Sequence, residues 1–243
     1  MKIIVVGHGM VGHKFLEELH QLKLAHAEVS VLCEEPRPAY DRVHLSEFFA
    51  GKSAEDLSLV APGFFGQTGF SLRLKARASA IDRRKKTVTT ADGEVLAYDK
   101  LVLATGSTPF VPPVKGNDRA DCFVYRTIED LEAMTECGAR SKTGVVVGGG
   151  LLGLECAKAL RDLGLETHVV EFAPRLMAVQ VDDDGGRVLR SKIEALGVQV
   201  HTSRNTVEIT DGARARHRMV FADGSHLETD MIVFSAGIRP RDE

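Results

Sequence analysis

The chain has 243 residues, room for one large domain or two of about 100–150 residues each, with a hydrophobic fraction of 44%, ample for real cores. Its 31 basic residues against 34 acidic ones leave a formal net charge of -3, which does not suggest a nucleic-acid footprint, since that would need a concentrated basic patch. The single basic run, Arg83-Arg84-Lys85-Lys86, precedes Ala91-Asp92-Gly93 and reads as the solvated approach to a hairpin.

In chain order, residues 2–6 form an apolar run of the kind expected for a parallel strand covered on both faces. Glycine breaks the run too soon for a signal peptide or membrane span, and a chain opening in a buried strand predicts a cytoplasmic protein. After Gly7-His8-Gly9-Met10-Val11-Gly12, residues 11–24 place Val11, Phe15, Leu16, Leu19 and Leu22 on one helical face. A second buried strand is predicted over 28–33, closed by Glu34-Glu35-Pro36. Residues 36–75 are irregular and rich in turn formers. Short strands follow at 78–82 and 87–90, with Asp92-Gly93 as the hairpin signal before Val95. Another buried strand over 98–104 runs into Thr105-Gly106-Ser107. The proline-rich stretch 108–113 and polar 115–118 mark an interdomain connection.

Thr127 is the predicted N-cap of a helix, with Asp130 as the acid of a capping box. The opening pattern then returns: a strand at 144–147, a helix at 151–163, and a strand at 166–170 ending in Glu171. A helix over 183–196 leads to strands at 198–202, 207–210, 219–222 and 231–235, the last two separated by Asp223-Gly224. This repeat of βαβ units predicts an α/β protein of two tandem Rossmann-like, doubly wound domains with short antiparallel insertions, over 1–113 and 114–243. The four cysteines, Cys33, Cys122, Cys137 and Cys156, contain no CxxC and no zinc-ligand spacing, so no metal site is expected; Cys33 and Cys156 read as core fillers.

Two motifs carry chemistry. In Gly7-His8-Gly9-Met10-Val11-Gly12 the first glycine permits a tight turn, the second lets a pyrophosphate approach, and the third packs helix on strand. The helix N-terminus then faces the anion with free N–H groups. An acid about twenty residues on should hold the ribose hydroxyls; Glu34 stands there, with Glu35 as the alternative. Gly148-Gly149-Gly150-Leu151-Leu152-Gly153 repeats the pattern, with Glu171 as its acid. A carboxylate accepts from a free 2′-hydroxyl and repels a 2′-phosphate, and Phe172 rather than arginine follows it, which favours NADH over NADPH; Arg175 is the nearby counterweight. Two such fingerprints on one chain suggest two nucleotides with hydride passing between them.

With Ala104-Thr105-Gly106-Ser107, Gly153-Leu154-Glu155 and Ser235-Ala236-Gly237-Ile238-Arg239-Pro240, the chain resembles the two-dinucleotide-binding flavoproteins related to glutathione reductase and the ferredoxin reductases. Within that family, residues 34–46 and 170–180 are most similar to the N-terminal region of the large subunits of assimilatory NAD(P)H-nitrite reductases. The resemblance implies FAD on Gly7, Gly9, Met10, Val11, Gly12 and Glu34 or Glu35. Arg42 and Ser46 would lie near its pyrophosphate and flavin, Ala78 at the adenine, and Ala104, Thr105 and Gly106 along the pocket. NADH would rest on Gly148, Gly150, Leu151, Leu152, Gly153 and Glu171, with Glu155 and Gly237 near the nicotinamide. Glu47 follows Ser46 where related ferredoxin reductases often carry lysine, so no lysine–flavin contact transfers. Plainer readings stand beside these: Arg42 as a surface cation, Ser46 as a helix cap, Glu155 as a buried structural acid. No catalytic histidine is expected among His8, His13 and His44, because the cofactors carry the chemistry.

The resemblance also implies a Gly-Asp return segment and an interface domain that the chain does not contain before Glu243. Its four cysteines do not make an iron–sulfur and sirohaem site. The expectation is a flavin-reducing module, NADH to FAD, whose electrons pass to a downstream redox region or acceptor protein. Sirohaem and the iron–sulfur cluster would lie in a missing C-terminal part. The alternatives are an NADH-dependent ferredoxin or rubredoxin reductase, and a non-catalytic nucleotide-binding fragment.

Overall fold

A computed structural model describes residues 1–242. The chain forms two compact units, one of Met1–His44, Ser53–Ser107 and the segment from Pro240, the other of Leu45–Lys52 and Thr108–Arg239.

In the first unit, β1 (Lys2–Val6) is apolar and buried from Ile3 to Val6 because both its faces are covered there. Ile3 and Val5 pack with Leu16 and Leu19 of α1 (Met10–Gln21) and with Val29 and Val31 of β2 (Glu28–Leu32). Ile4 and Val6 face the other way, onto Leu32 and Val88. The buried residues of α1 are Gly12, His13, Leu16 and Leu19, whereas Val11 and Leu22, expected on the core face, are exposed. Pressing Gly12 onto the preceding turn sets the helix's rotation and turns Val11 outward. α2 (Ser46–Phe49) belongs to the second unit. α3 (Phe64–Thr68) and β3 (Ser71–Arg73) follow, and β4 (Ala78–Asp82), β5 (Thr87–Thr90) and β6 (Val95–Ala97) make an antiparallel sheet that supplies Val88. β7 (Lys100–Leu103) returns beside β1, giving a parallel sheet of order β3-β2-β1-β7 with its direction of winding reversed at β1.

β8 (Ser107–Pro109) carries the chain to the second unit. There β9 (Cys122–Val124) precedes α4 (Ile128–Gly138), whose Thr127 and Asp130 form the expected capping box. β10 (Thr143–Val147), α5 (Leu151–Asp162) and β11 (Glu166–Val170) repeat the β1-α1-β2 unit. After α6 (Asp183–Ala195), β12 (Val198–His201) extends a parallel sheet of order β12-β11-β10-β16-β9, in which β16 is Met231–Phe234. β13 (Thr206–Asp211), β14 (His217–Phe221) and β15 (His226–Thr229) form an antiparallel layer whose Ile209, Met219 and Phe221 pack on Val145, Val170, Ile232 and Phe234. The Asp223-Gly224 turn therefore closes β14 onto β15, a strand absent from the sequence reading, and β16 joins the other sheet. β17 (Ile238–Pro240) pairs with β8. The α/β architecture with antiparallel insertions is as expected.

Candidate functional site

The same turn stands at the carboxyl end of β1 in one unit and of β10 in the other. Gly148 has φ +121°, and a Cβ on it would overlap the Ser235 carbonyl; a Cβ on Gly153 would overlap the Gly148 carbonyl. Gly7 and Gly12 repeat this, with the Ala104 carbonyl in place of Ser235. By contrast, a Cβ on Gly9 or Gly150 would meet nothing within 4 Å, so the middle glycine faces open space. Gly9 and Gly150 are the N-caps of α1 and α5, and neither helix has a side-chain cap or an acid in its first turn. α4 and α6 are both capped and acidic there. Uncapped N–H groups and the helix dipole make the first turns of α1 and α5 fit a pyrophosphate. Met10 and Val11 begin one, Leu151 and Leu152 the other; Val11 and Leu151 are largely exposed.

The acids behave differently. Glu171 follows β11, and its Oε2 accepts from Gly149 N–H at 2.5 Å while Oε1 accepts from Ala173 N–H at 2.7 Å. Its carboxylate is thus fixed against the glycine turn. Glu34 accepts from Arg241 Nη1 at 2.7 Å, with Arg77 Nε at 3.8 Å. Glu35, the alternative ribose acid, is engaged by the Tyr40 hydroxyl at 2.8 Å and by Arg42, whose guanidinium lies 4.6 Å from the Tyr40 ring centre. Thr105 donates to the Arg241 carbonyl, Gly106 accepts from Arg241 N–H, and Ala78 sits in β4 against the Ile4–Val88 cluster.

In the second unit a cavity of about 870 Å³ opens over the turn, a size typical of small-molecule sites. Of the expected NADH residues, Gly148, Gly150, Leu151, Leu152, Glu171 and Gly237 line it, and Gly153 packs beneath the turn. Glu155 does not line it; its carboxylate is held by Ser46, 2.6 Å away, which α2 brings into this unit. The Ser46 side chain therefore caps no helix: the N-cap of α2 is Leu45. Arg175 is spent on scaffolding, donating to the Val181 and Ala178 carbonyls and to Asp183, and does not line the cavity. Tyr125 and Arg204 do line it and were missed, because they stand far from the fingerprint in sequence.

His8 is buried, accepts from Ala39 N–H through Nδ1, and is pushed down to about 4 by burial and then by His13. Burial raises the thiols of Cys33, Cys122, Cys137 and Cys156, and none is in a disulfide. These thiols remain protonated fillers.

Two glycine turns, each opening an uncapped helix beneath a covered parallel strand, define a protein with two dinucleotide-binding units. The chain belongs to the pyridine nucleotide-disulphide oxidoreductase family, whose model it matches over residues 1–243. It is 56% identical over 245 residues to the NADH nitrite reductase large subunit of Escherichia coli (strain K12), covering 100% of this chain and 29% of that protein. It is likewise 56% identical over 245 residues to the NAD(P)H nitrite reductase large subunit of Klebsiella oxytoca, covering 99% and 25%. The chain thus spans less than a third of these relatives, and the resemblance drawn from its motifs is borne out. A solved NAD-dependent persulfide reductase from A. fulgidus superposes with a TM-score of 0.92 at 26% identity, covering 99% of this chain and 47% of that one.

Proposed function

We propose that the first unit binds FAD, the second binds NADH, and the chain passes reducing equivalents from NADH toward a redox acceptor. The observation that supports this best is the duplicated glycine turn: each copy opens a 12-residue helix with no side-chain cap, and one copy has a carboxylate fixed against it. In this reading α1 and α5 hold the two pyrophosphates, Glu34 and Glu171 the adenosine riboses, and Ala78, Ala104, Thr105 and Gly106 the rest of the FAD pocket. Glu155 and Gly237 stand toward the nicotinamide. FAD held on the α1 turn would supply the hydride-accepting and electron-transfer chemistry. The protein's part is to align the two nucleotides and exclude water.

Similarity to nitrite reductase large subunits supports nitrite as the final acceptor, reduced at sirohaem and an iron–sulfur cluster elsewhere in a longer protein. We place this protein in the cytoplasm on its similarity to nitrite reductase large subunits. Among the described residues no helix is long and apolar enough to cross a membrane. The test is an anaerobic titration of the full-length protein with NADH while flavin absorbance is followed. The expected result is a flavin absorbance band bleached by NADH, at about one equivalent per flavin beyond what the downstream centres take up. A protein without flavin that cannot be reconstituted with FAD, or a flavin that NADH leaves oxidised, overturns the reading.

A further inference from the structure

One polar cluster of the second unit takes no part in the glycine turn. α2 packs on α5, and the Ser46 hydroxyl donates to Glu155 Oε1 at 2.6 Å. Tyr125, just after β9, is buried with the Phe49 ring of α2 stacked on it, centroids 6.5 Å apart and planes at 23°. Its hydroxyl is buried beside Ser46 without a well-aligned hydrogen bond. Burial, and then the charge on Glu155, hold this phenol well above its usual range, so it keeps its proton. A protonated phenol offers a donor, and a serine that donates to a carboxylate still has lone pairs to accept one. An unpaired buried hydroxyl is costly, so the pairing has a driving force. Tyr125 also lines the cavity.

We propose that Ser46 and Tyr125 are positioning residues forming a donor chain, Tyr125 O–H to Ser46 Oγ and Ser46 O–H to the Glu155 carboxylate, which completes when nucleotide fills the cavity that Tyr125 lines and fixes Glu155 behind that wall, on the nicotinamide side. The proposal rests on reading that cavity as the NADH site. Serine suits the middle place because one hydroxyl both accepts and donates; alanine removes both links and threonine keeps them.

The test uses the full-length protein and rapid mixing with NADH, which separates the limiting rate of flavin reduction from the NADH Kd. Ser46→Ala lowers the limiting rate about tenfold through misalignment. The Kd changes less than about twofold, because the glycine turn and Glu171 carry binding. Ser46→Thr restores the rate, and Ser46→Ala with Glu155→Gln is no slower than Glu155→Gln alone. Independently of turnover, fluorine NMR of 3-fluorotyrosine-labelled protein shows a Tyr125 resonance, assigned by its loss in Tyr125→Phe. It shifts when NAD⁺ is added to the wild type and stays put in Ser46→Ala. An unchanged limiting rate in Ser46→Ala, losses that multiply in the double variant, or a resonance indifferent to Ser46 overturns the proposal. Tyr125→Phe keeps the ring and its packing; if that variant is more heat-stable yet reduces flavin at the wild-type rate, the donor chain is overturned at Tyr125. A wild-type flavin that NADH cannot reduce overturns the underlying function instead.

Discussion

The Glu171 carboxylate accepts two backbone N–H groups, from Gly149 and Ala173, and so ties the glycine turn to the loop after β11. Each oxygen keeps a lone pair for a ribose hydroxyl, while a 2′-phosphate would meet its charge. Arg175, committed to two carbonyls and Asp183, cannot offset that repulsion. Glu171→Gln replaces one acceptor with a donor and removes the charge. The expected outcome is a fall of about tenfold in kcat/KM for NADH, worth about 1.4 kcal/mol, with no fall for NADPH. Steady-state kinetics with both cofactors checks it; an unchanged ratio removes Glu171 from the ribose. At His8 the folded chain holds the imidazole down at about 4 against 6.5 for a free one. Between those values the unfolded chain binds the extra proton, so stability is full above about pH 6.5 and falls as pH drops toward 4, by up to ~3 kcal/mol. His8→Asn keeps an acceptor for Ala39 N–H without titrating. Its first unit should therefore lose less Tm on acidification than the wild type, and equal losses would clear His8 of this role. His168, His201 and His217 are lowered too, mainly by burial, so the variant removes only part of the acid sensitivity.

Elements whose signal is local were legible. The β1-α1-β2 and β10-α5-β11 units announce themselves through apolar strands, glycine turns and closing acids. The Thr127–Asp130 capping box is complete, with hydrogen bonds of 2.8 and 3.2 Å. Gly93 and Gly224 adopt the positive φ that their Asp-Gly turns require. Elements defined by distant partners were not legible. β15 is only His226–Thr229, with Leu227 its one apolar residue, so it carries no strand pattern of its own and only the buried β16 after it was read. β3 is three residues long and acquires its strand character from pairing with β2. α2 is a single turn whose place depends on packing against α4 and α5. That is why the bond from Ser46 to Glu155 and the place of Tyr125 gave no signal. The fingerprint glycines and Glu171 could be read from spacing; the cluster around Glu155 is assembled from three separate segments, which no spacing reveals.

Over the whole molecule, the duplicated turn allows the two nucleotides to be separated experimentally. Gly9 and Gly150 lie in extended backbone that any residue adopts, and a side chain on either meets no protein atom within 4 Å at Cβ. Gly12 and Gly153 have no such freedom, since a Cβ there strikes the carbonyl of Gly7 or Gly148. Valine at 9 or 150 should therefore leave the fold intact and fill the space a pyrophosphate needs. Gly150→Val is expected to stay yellow while NADH no longer bleaches it. Gly9→Val is expected to lack flavin and still bind NAD⁺ in calorimetry with a near-wild-type Kd. Loss of flavin in Gly150→Val with an unchanged melting curve would mean that the second turn also serves FAD, and the assignment of one nucleotide to each unit would fail. Because both substitutions act on open space rather than on packing, a loss confined to one nucleotide reports on that unit's helix terminus and not on general damage to the fold.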